Sequence, residues 1–147
     1  MIKKNYLALF AKSFNWAGFF LPKNVYQDCS KLYSFCRVLD DIVDEKTNLE
    51  LRLERFNEIK NIFNKTYELD NNDRKVLDQN EHGLIINDMI ILAVNNNIKR
   101  LILDDLIEGV ESDLKQKVYL RTVKDLLVYS YRVAGTVGLM MAKILNV

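Results

Sequence analysis

Hydrophobic positions recur every three or four residues along nearly the whole chain, which is the spacing of helices that bury one face. No stretch alternates apolar and polar residues as a half-buried strand does, and the 147 residues include only one proline and five glycines. The pattern therefore predicts an all-α protein of about six helices. They are an amphipathic N-terminal helix, then about 23–46, 49–67, one ending near 94, 98–115, and 122 to the C-terminus.

Polar residues mark the predicted helix ends. Thr47 followed by Glu50 has the spacing of a capping box for the third helix, and Thr122 with Asp125 has it for the sixth. Gly83 is expected to weaken or kink the fourth helix. The core residues expected in that helix are Ile85, Ile86, Met89, Ile90 and Leu92.

The second predicted helix carries three carboxylates on one strip. At about 100° per residue, one arc of this helix collects Tyr33, Arg37, Asp40, Asp41 and Asp44. Apolar residues fill the remaining circumference, where core contact is expected. Asp40 and Asp44 lie one turn apart, and Mg²⁺ bound to a phosphate is often held by one or two such carboxylates. The alternative is a solvated face on which Arg37 pairs with Asp40 and Asp41.

The last predicted helix has two distinct sides. One side carries Tyr131, Gly135, Gly138 and Ala142, whose small residues are expected to let a neighbouring backbone approach closely. The nearly opposite side carries Tyr129, Val133, Thr136, Val137 and Met140. This second stripe requires either further core or an apolar ligand.

Composition argues against several classes of protein. The net charge is +1 without a run of like charge, which argues against nucleic-acid binding. Cys29 and Cys36 lie about 10 Å apart along one helix, too far for a disulfide, and are expected to be reduced thiols of a cytoplasmic protein. With His82 as the one histidine, a structural zinc site and a Ser/His/Asp triad are both disfavoured. No apolar run approaches the ~20 residues needed to span a bilayer.

Three segments in order resemble the squalene and phytoene synthases, a family of head-to-head prenyl transferases. They are residues 12–22 (KSFNWAGFFLP), 32–45 (LYSFCRVLDDIVDE) and 129–139 (YSYRVAGTVGL), with a weaker match at 109–114 (GVESDL). The resemblance implies an all-α isoprenoid synthase fold around a deep cavity. It also implies condensation of two prenyl diphosphates through a cyclopropyl intermediate, with Mg²⁺ as cofactor and Mn²⁺ as the alternative.

The sequence of the last segment most resembles that of phytoene synthases. This resemblance implies geranylgeranyl diphosphate as substrate and a role in carotenoid biosynthesis. The alternative is squalene or dehydrosqualene formation from farnesyl diphosphate. A third alternative, from another class, is a non-catalytic helical half-domain that binds prenyl diphosphate or a partner subunit. Because such substrates are lipids, peripheral membrane contact is compatible with a cytoplasmic location.

The resemblance further implies roles for individual residues. Asp40 and Asp44 match the aspartate-rich motif that binds diphosphate through Mg²⁺. Substrate-binding positions are matched by Ser13, Phe14, Arg37 and Asp41. Near the reacting carbons, the matching residues are Tyr33 and Tyr129, and Val133 and Val137 match the wall of the hydrocarbon channel.

The sequence departs from the family pattern in two places. Phe10 and Ala11 stand where the family often has His or Ser. The family's second aspartate-rich motif is not found within the 147 residues. Residues 1–147 are therefore expected to form the N-terminal part of a single synthase domain, whose partner is a C-terminal half or second subunit. The isolated chain is expected not to turn over.

Overall fold

The computed structural model describes residues 16–69, 80–115 and 120–147, and in these ranges it contains helices and no strand. The helices are α1 (Lys23–Asp44), α2 (Leu49–Glu68), α3 (Glu81–Asn95), α4 (Arg100–Leu114), α5 (Val123–Ser130) and α6 (Thr136–Leu145). A π-helical segment, Tyr131–Gly135, joins α5 to α6 without a break. The all-α prediction is thus confirmed, while the predicted N-terminal helix lies almost entirely outside the described residues.

Helix α1 is the centre of the packing. Its apolar side is buried as predicted, at Leu32, Phe35, Val38, Leu39 and Ile42. It packs against α2, α3, α4 and α6. Burying each of these side chains contributes about 1.5–3 kcal/mol, so one side of α1 anchors most of the core. Within the described ranges, no helix combines the length and apolar character required to cross a membrane.

Two predicted helix starts can be compared with the observed caps. The prediction of Thr47 as the cap of α2 is wrong, because the side chain of Asn48 accepts a hydrogen bond from the amide of Leu51 at 2.8 Å. Asparagine caps at least as well as threonine and lies one residue nearer the helix. The Thr122 and Asp125 prediction is confirmed, since both reciprocal hydrogen bonds of a capping box are present at the start of α5.

Gly83 does not kink a helix interior, contrary to the prediction. Helix α3 begins at Glu81, and the amide of Gly83 donates to the side chain of its cap, Asn80, at 2.7 Å. The glycine therefore lies in the first turn, where it is buried and part of the cap. The predicted core of this helix is confirmed at four fully buried positions, Ile86, Met89, Ile90 and Leu92, and Ile85 is partly buried against them.

At Gly109, helix α4 lies close against the π segment. A Cβ atom there would be 2.8 Å from Cβ of Arg132 and 3.2 Å from its carbonyl carbon. The predicted close approach at Gly138 is not seen among the described residues, since a Cβ atom at that exposed residue would meet none of their atoms within 4 Å. The atoms nearest to a Cβ at Gly135 would all belong to the Tyr131 side chain, one turn earlier. That side of the helix faces away from the described core.

Candidate functional site

The acidic strip lies on the outward side of α1, as the helical periodicity predicts. Asp40, Asp41 and Asp44 are exposed, and Arg37 and Tyr33 are half-buried on the turns before them. Arg37 forms an ion pair with Asp41, its Nη2 lying 2.6 Å from Oδ1. This is one of the two pairs expected for a solvated face. It also holds the guanidinium group on the same strip as Asp40 and Asp44.

The surroundings of Asp40 disfavour the charged form of its carboxyl group. The residue is exposed, yet loss of water around the carboxyl group raises its pKa, and the charge of Asp44 raises it further. Arg37 lowers the pKa only in part, because Asp41 and Asp113 also raise it. A cation bound beside Asp40 would relieve this repulsion.

Asp113 on α4 connects the strip to the last helix. The Tyr129 hydroxyl donates to the Asp113 carboxylate, with its oxygen 3.0 Å from Oδ1 and 3.2 Å from Oδ2. Loss of solvent, followed by the hydrogen bond and charge of Asp113, raises the pKa of Tyr129, so the phenol stays protonated. Because the charge of Asp113 also acts on Asp40, the contact brings Tyr129 into the surroundings of the strip.

No role for Asp113 is predicted from the sequence. Its one signal is the short segment 109–114, which contains both Asp113 and the close-packed Gly109. The pairing with Tyr129 joins two helices across sixteen residues of sequence, so helical periodicity within either helix does not reveal it.

The predicted channel residues lie on the inward side of the last helix. A Cβ atom at Gly109 would be 3.1 Å from Cγ1 of Val133, and Val137 packs against the core beside the buried Thr136 and Met140. Of the two explanations for this stripe, further core accounts for Val137. The other two predicted substrate-binding residues, Ser13 and Phe14, lie outside the described residues.

Asp40 and Asp44 suit a hard divalent cation. In the described ranges, no three His, Cys, Asp or Glu side chains converge into a complete metal site. Mg²⁺ takes oxygen ligands and commonly uses one or two carboxylates, with water and substrate phosphate supplying the remainder. The two carboxylates and the surplus negative charge around Asp40 fit such an ion. The remaining coordination would come from a ligand.

A second group of charges lies on another side of α4 and serves as a contrast. There a groove of about 370 Å³ separates α2 from α4, and none of the predicted site residues lines it. Glu111 accepts hydrogen bonds from Lys60 at 2.7 Å and Lys115 at 2.5 Å. Desolvation alone would raise the pKa of Glu111, but these two bonds outweigh it and lower the pKa. This carboxylate is neutralised within the chain.

Comparison with known proteins gives one family and several relatives. The family model described as squalene/phytoene synthase matches residues 7–147. The chain is 31% identical over 144 residues to a bifunctional lycopene cyclase/phytoene synthase of Pyrenophora tritici-repentis. It is 30% identical over 141 residues to a 15-cis-phytoene synthase of a Paracoccus species. It is 28% identical over 136 residues to a 4,4'-diapophytoene synthase of Staphylococcus haemolyticus.

These matches cover most of this chain but only part of each relative. The alignments include 92%, 93% and 92% of the chain, and 24%, 44% and 44% of the respective relatives. The chain thus spans less than half the length of the curated relatives it matches. The family match nevertheless covers nearly all residues of this chain, including the acidic strip, Asp113 and Tyr129. The chain therefore belongs to the squalene/phytoene synthase family, and its helices are part of that family's all-α isoprenoid synthase fold.

Proposed function

We propose that this chain provides one diphosphate-binding side of a head-to-head prenyl transferase, which joins two geranylgeranyl diphosphates into phytoene through a cyclopropyl intermediate. The observation that carries the proposal is the strip on α1 that holds Asp40, Asp41 and Asp44 beside Arg37. The raised pKa of Asp40, caused first by desolvation and then by the charge of Asp44, agrees with it. Family membership supplies the reaction class. The relatives' names include phytoene and diapophytoene synthases at similar identity, so farnesyl diphosphate is the alternative substrate to test.

Asp40 and Asp44 would hold Mg²⁺, and Asp41 would keep Arg37 beside it. When bound, Mg²⁺ supplies positive charge that stabilises the departing diphosphate. Arg37 adds a fixed cation on the same strip, where the ion pair with Asp41 restricts its position. Such preorganised charge lowers the barrier because it requires no rearrangement as the allylic C–O bond breaks and the electron pair leaves with the diphosphate.

Tyr129 would face the allylic carbocation that remains. Its hydrogen bond to Asp113 fixes the phenol, and its raised pKa keeps the ring neutral. A neutral aromatic face attracts positive charge without adding a covalent bond to it. Tyr33, half-buried one turn before Arg37, would take the same role from α1. The two tyrosines would therefore border the diphosphate end from two helices.

The direct test is ligand binding, since no sustained turnover is expected from residues 1–147 alone. Calorimetry with the thiolodiphosphate analogue of geranylgeranyl diphosphate should detect binding that depends on Mg²⁺. Asp40→Asn should weaken it by about 10- to 100-fold, the loss typical when residues of a metal site are altered. The farnesyl analogue, titrated in parallel, tests the alternative chain length.

Asp104→Asn is the matched control, because Asp104 is also a helical aspartate but lies in the groove between α2 and α4, away from the acidic strip. It should leave binding unchanged. Equal losses in both variants, or binding by the wild type that ignores Mg²⁺, would contradict the assignment. Sustained formation of phytoene by the purified chain would contradict the proposal that it provides only one side of the reaction.

A further inference from the structure

Thr136 lies where the π segment meets α6, and its side chain is fully buried. The described residues bury two polar side chains, and the other is that of Thr66 in α2. The Thr136 hydroxyl donates to the carbonyl oxygen of Arg132 at 2.8 Å. In the same way, the Thr66 hydroxyl donates to the carbonyl oxygen of Ile62 at 2.7 Å. The two buried threonines thus make the same contact, four residues back, in helices of different geometry.

The hydroxyl has a different function in each helix. In a regular α-helix such as α2, the carbonyl four residues back also accepts the amide of the threonine itself, so the Thr66 hydroxyl only adds a second donor. In the π segment, the amide of Thr136 donates to Tyr131, five residues back. The carbonyl of Arg132 therefore lacks the amide it would have in an α-helix, and the Thr136 hydroxyl donates to it instead. One side chain replaces the bond that the wide turn gives up.

The wide turn determines how α5 is rotated about the helix axis. If the amide of Thr136 returned to Arg132, the turn would tighten and the residues on one side of it would rotate by about 100°. Helix α6 is held in the core by Met140 and Ile144, whereas α5 contains no buried residue. Helix α5 is therefore the part that would rotate, and Tyr129 would turn away from Asp113.

We infer that Thr136 is a positioning residue for Tyr129. Its hydroxyl keeps the wide turn, and the wide turn holds α5 in the orientation in which the Tyr129 hydroxyl lies 3.0 Å from Asp113. Single π-helical turns of this kind are frequent at functional sites. The π segment also lies close against Gly109, one turn before Asp113 on α4, so both contacts are made with the same helix. The inference rests on the proposed function only for the role of Tyr129 beside the reacting carbons.

Nuclear magnetic resonance of the isotope-labelled chain tests the hydrogen bonding directly, because scalar couplings across hydrogen bonds identify the carbonyl that accepts each amide. In the wild type, the Thr136 amide should couple to the carbonyl carbon of Tyr131. Thr136→Val keeps the size and branching of the side chain but removes the hydroxyl, and the scalar coupling should move to Arg132. The pair Thr136→Ser and Thr136→Ala repeats the comparison without a methyl group in place of the hydroxyl. The serine should keep the scalar coupling to Tyr131, and the alanine should lose it.

The interaction between Tyr129 and Asp113 gives the second readout. A double-mutant cycle of Tyr129→Phe and Asp113→Asn should show coupling in the wild type and none in the Thr136→Val background. A general loss of stability would not remove this coupling, since the cycle isolates the pairwise interaction. Thr66→Val is the matched control, because it removes the same buried hydroxyl contact from a regular helix. It should leave the scalar coupling and the double-mutant cycle unchanged.

Retention of the Tyr131 scalar coupling in Thr136→Val overturns the inference, because packing at Gly109 then holds the turn without the hydroxyl. Survival of the Tyr129 and Asp113 interaction in that background also overturns it, as do equal losses in Thr66→Val. If Thr136→Val does not fold, the serine and alanine variants decide, and the same scalar coupling in both contradicts the inference. These readouts require neither Mg²⁺ nor diphosphate, so a failure of ligand binding is a separate result.

Discussion

Two carboxylates of α4, only two residues apart, lie in opposite electrostatic surroundings. Glu111 accepts hydrogen bonds from two lysines, which lower its pKa. Asp113 lies about 200° around the helix, where it accepts only from the neutral Tyr129 among its described contacts and raises the pKa of Asp40. The first carboxylate has its cations within the chain and stabilises the fold. The second adds negative charge around Asp40, which Arg37 offsets only in part.

The largest expected effect is a loss of stability at the contact between α4 and the π segment. Gly109→Ala would push α4 away from the π segment, because its Cβ would lie 2.8 Å from Cβ of Arg132. Overpacking of this kind costs about 1–3 kcal/mol in the free energy of unfolding. Urea denaturation measures the loss. Amide hydrogen exchange should show weaker protection of α5. The protection of α2, which contacts α4 on its other side at Glu111, should not change.

Gly138→Ala is the control for that change, since it adds the same methyl group to the same helical assembly in open space. It should stabilise the chain by up to about 1 kcal/mol, because alanine is the better helix former. Destabilisation by both substitutions to the same extent would mean that the packing at Gly109 is not the cause.

The next effect concerns the contact that joins Asp113 to the last helix. Tyr129→Phe and Asp113→Asn, made singly and together, should give a coupling energy of about 0.5–1.5 kcal/mol, the net contribution of one hydrogen bond. Thermal denaturation of the four proteins measures it. Tyr129→Phe combined with Asp104→Asn should be additive, and the same coupling in that pair would show that the cycle reports something other than the hydrogen bond.

Glu111→Gln tests the side of α4 where the carboxylate is neutralised by two lysines. A lowered pKa means that the folded state favours the charged form, so this stabilisation is present above the unfolded-state pKa and is lost as pH falls through the folded-state pKa. The variant should be less stable than the wild type by up to about 1 kcal/mol at pH 7. The difference in Tm should shrink towards pH 3, and a difference independent of pH would exclude the ionised carboxylate as its source.

Asp40→Asn tests the acidic cluster to which Asp113 contributes. It should change the free energy of unfolding in the opposite direction. A raised pKa means that the charged form is disfavoured in the folded state, so the penalty is full above the folded-state pKa and disappears as pH falls below the unfolded-state pKa. Without Mg²⁺, the variant should be more stable than the wild type at pH 7 by up to about 0.5 kcal/mol, the scale of one like-charge pair on a helix. Lower stability of the variant at pH 7 would contradict the surplus of negative charge.

Features determined by periodicity within one helix were predictable from the sequence. The buried side of α1 and the acidic strip opposite it follow from apolar and polar residues at 3.6-residue spacing, and the capping box at Thr122 is a local pattern. The cap of α2 was misplaced by one residue because Thr47 and Asn48 both suit the position, and spacing alone favoured the former.

Features determined by contact between distant segments were not predictable. The sequence marks Gly109, Gly135 and Gly138 as small residues, but which of them meets a neighbouring backbone depends on how α4 lies against the last helix. The pairing of Asp113 with Tyr129 depends on the same contact. The π segment had no recognisable local signal, since its residues are also compatible with an ordinary α-helix.

The amide of Thr136 donates to the carbonyl oxygen of Tyr131, five residues back instead of four. This wide turn holds one residue more than the regular helix on either side of it. Deleting a single residue there, such as Ala134, should tighten the backbone into an uninterrupted α-helix while both flanks keep their orientation. The same deletion within α1 would rotate every later side chain by about 100° and turn core residues towards water. Among the described helices, Tyr131–Gly135 is therefore the segment where a difference of one residue in length is most easily accommodated.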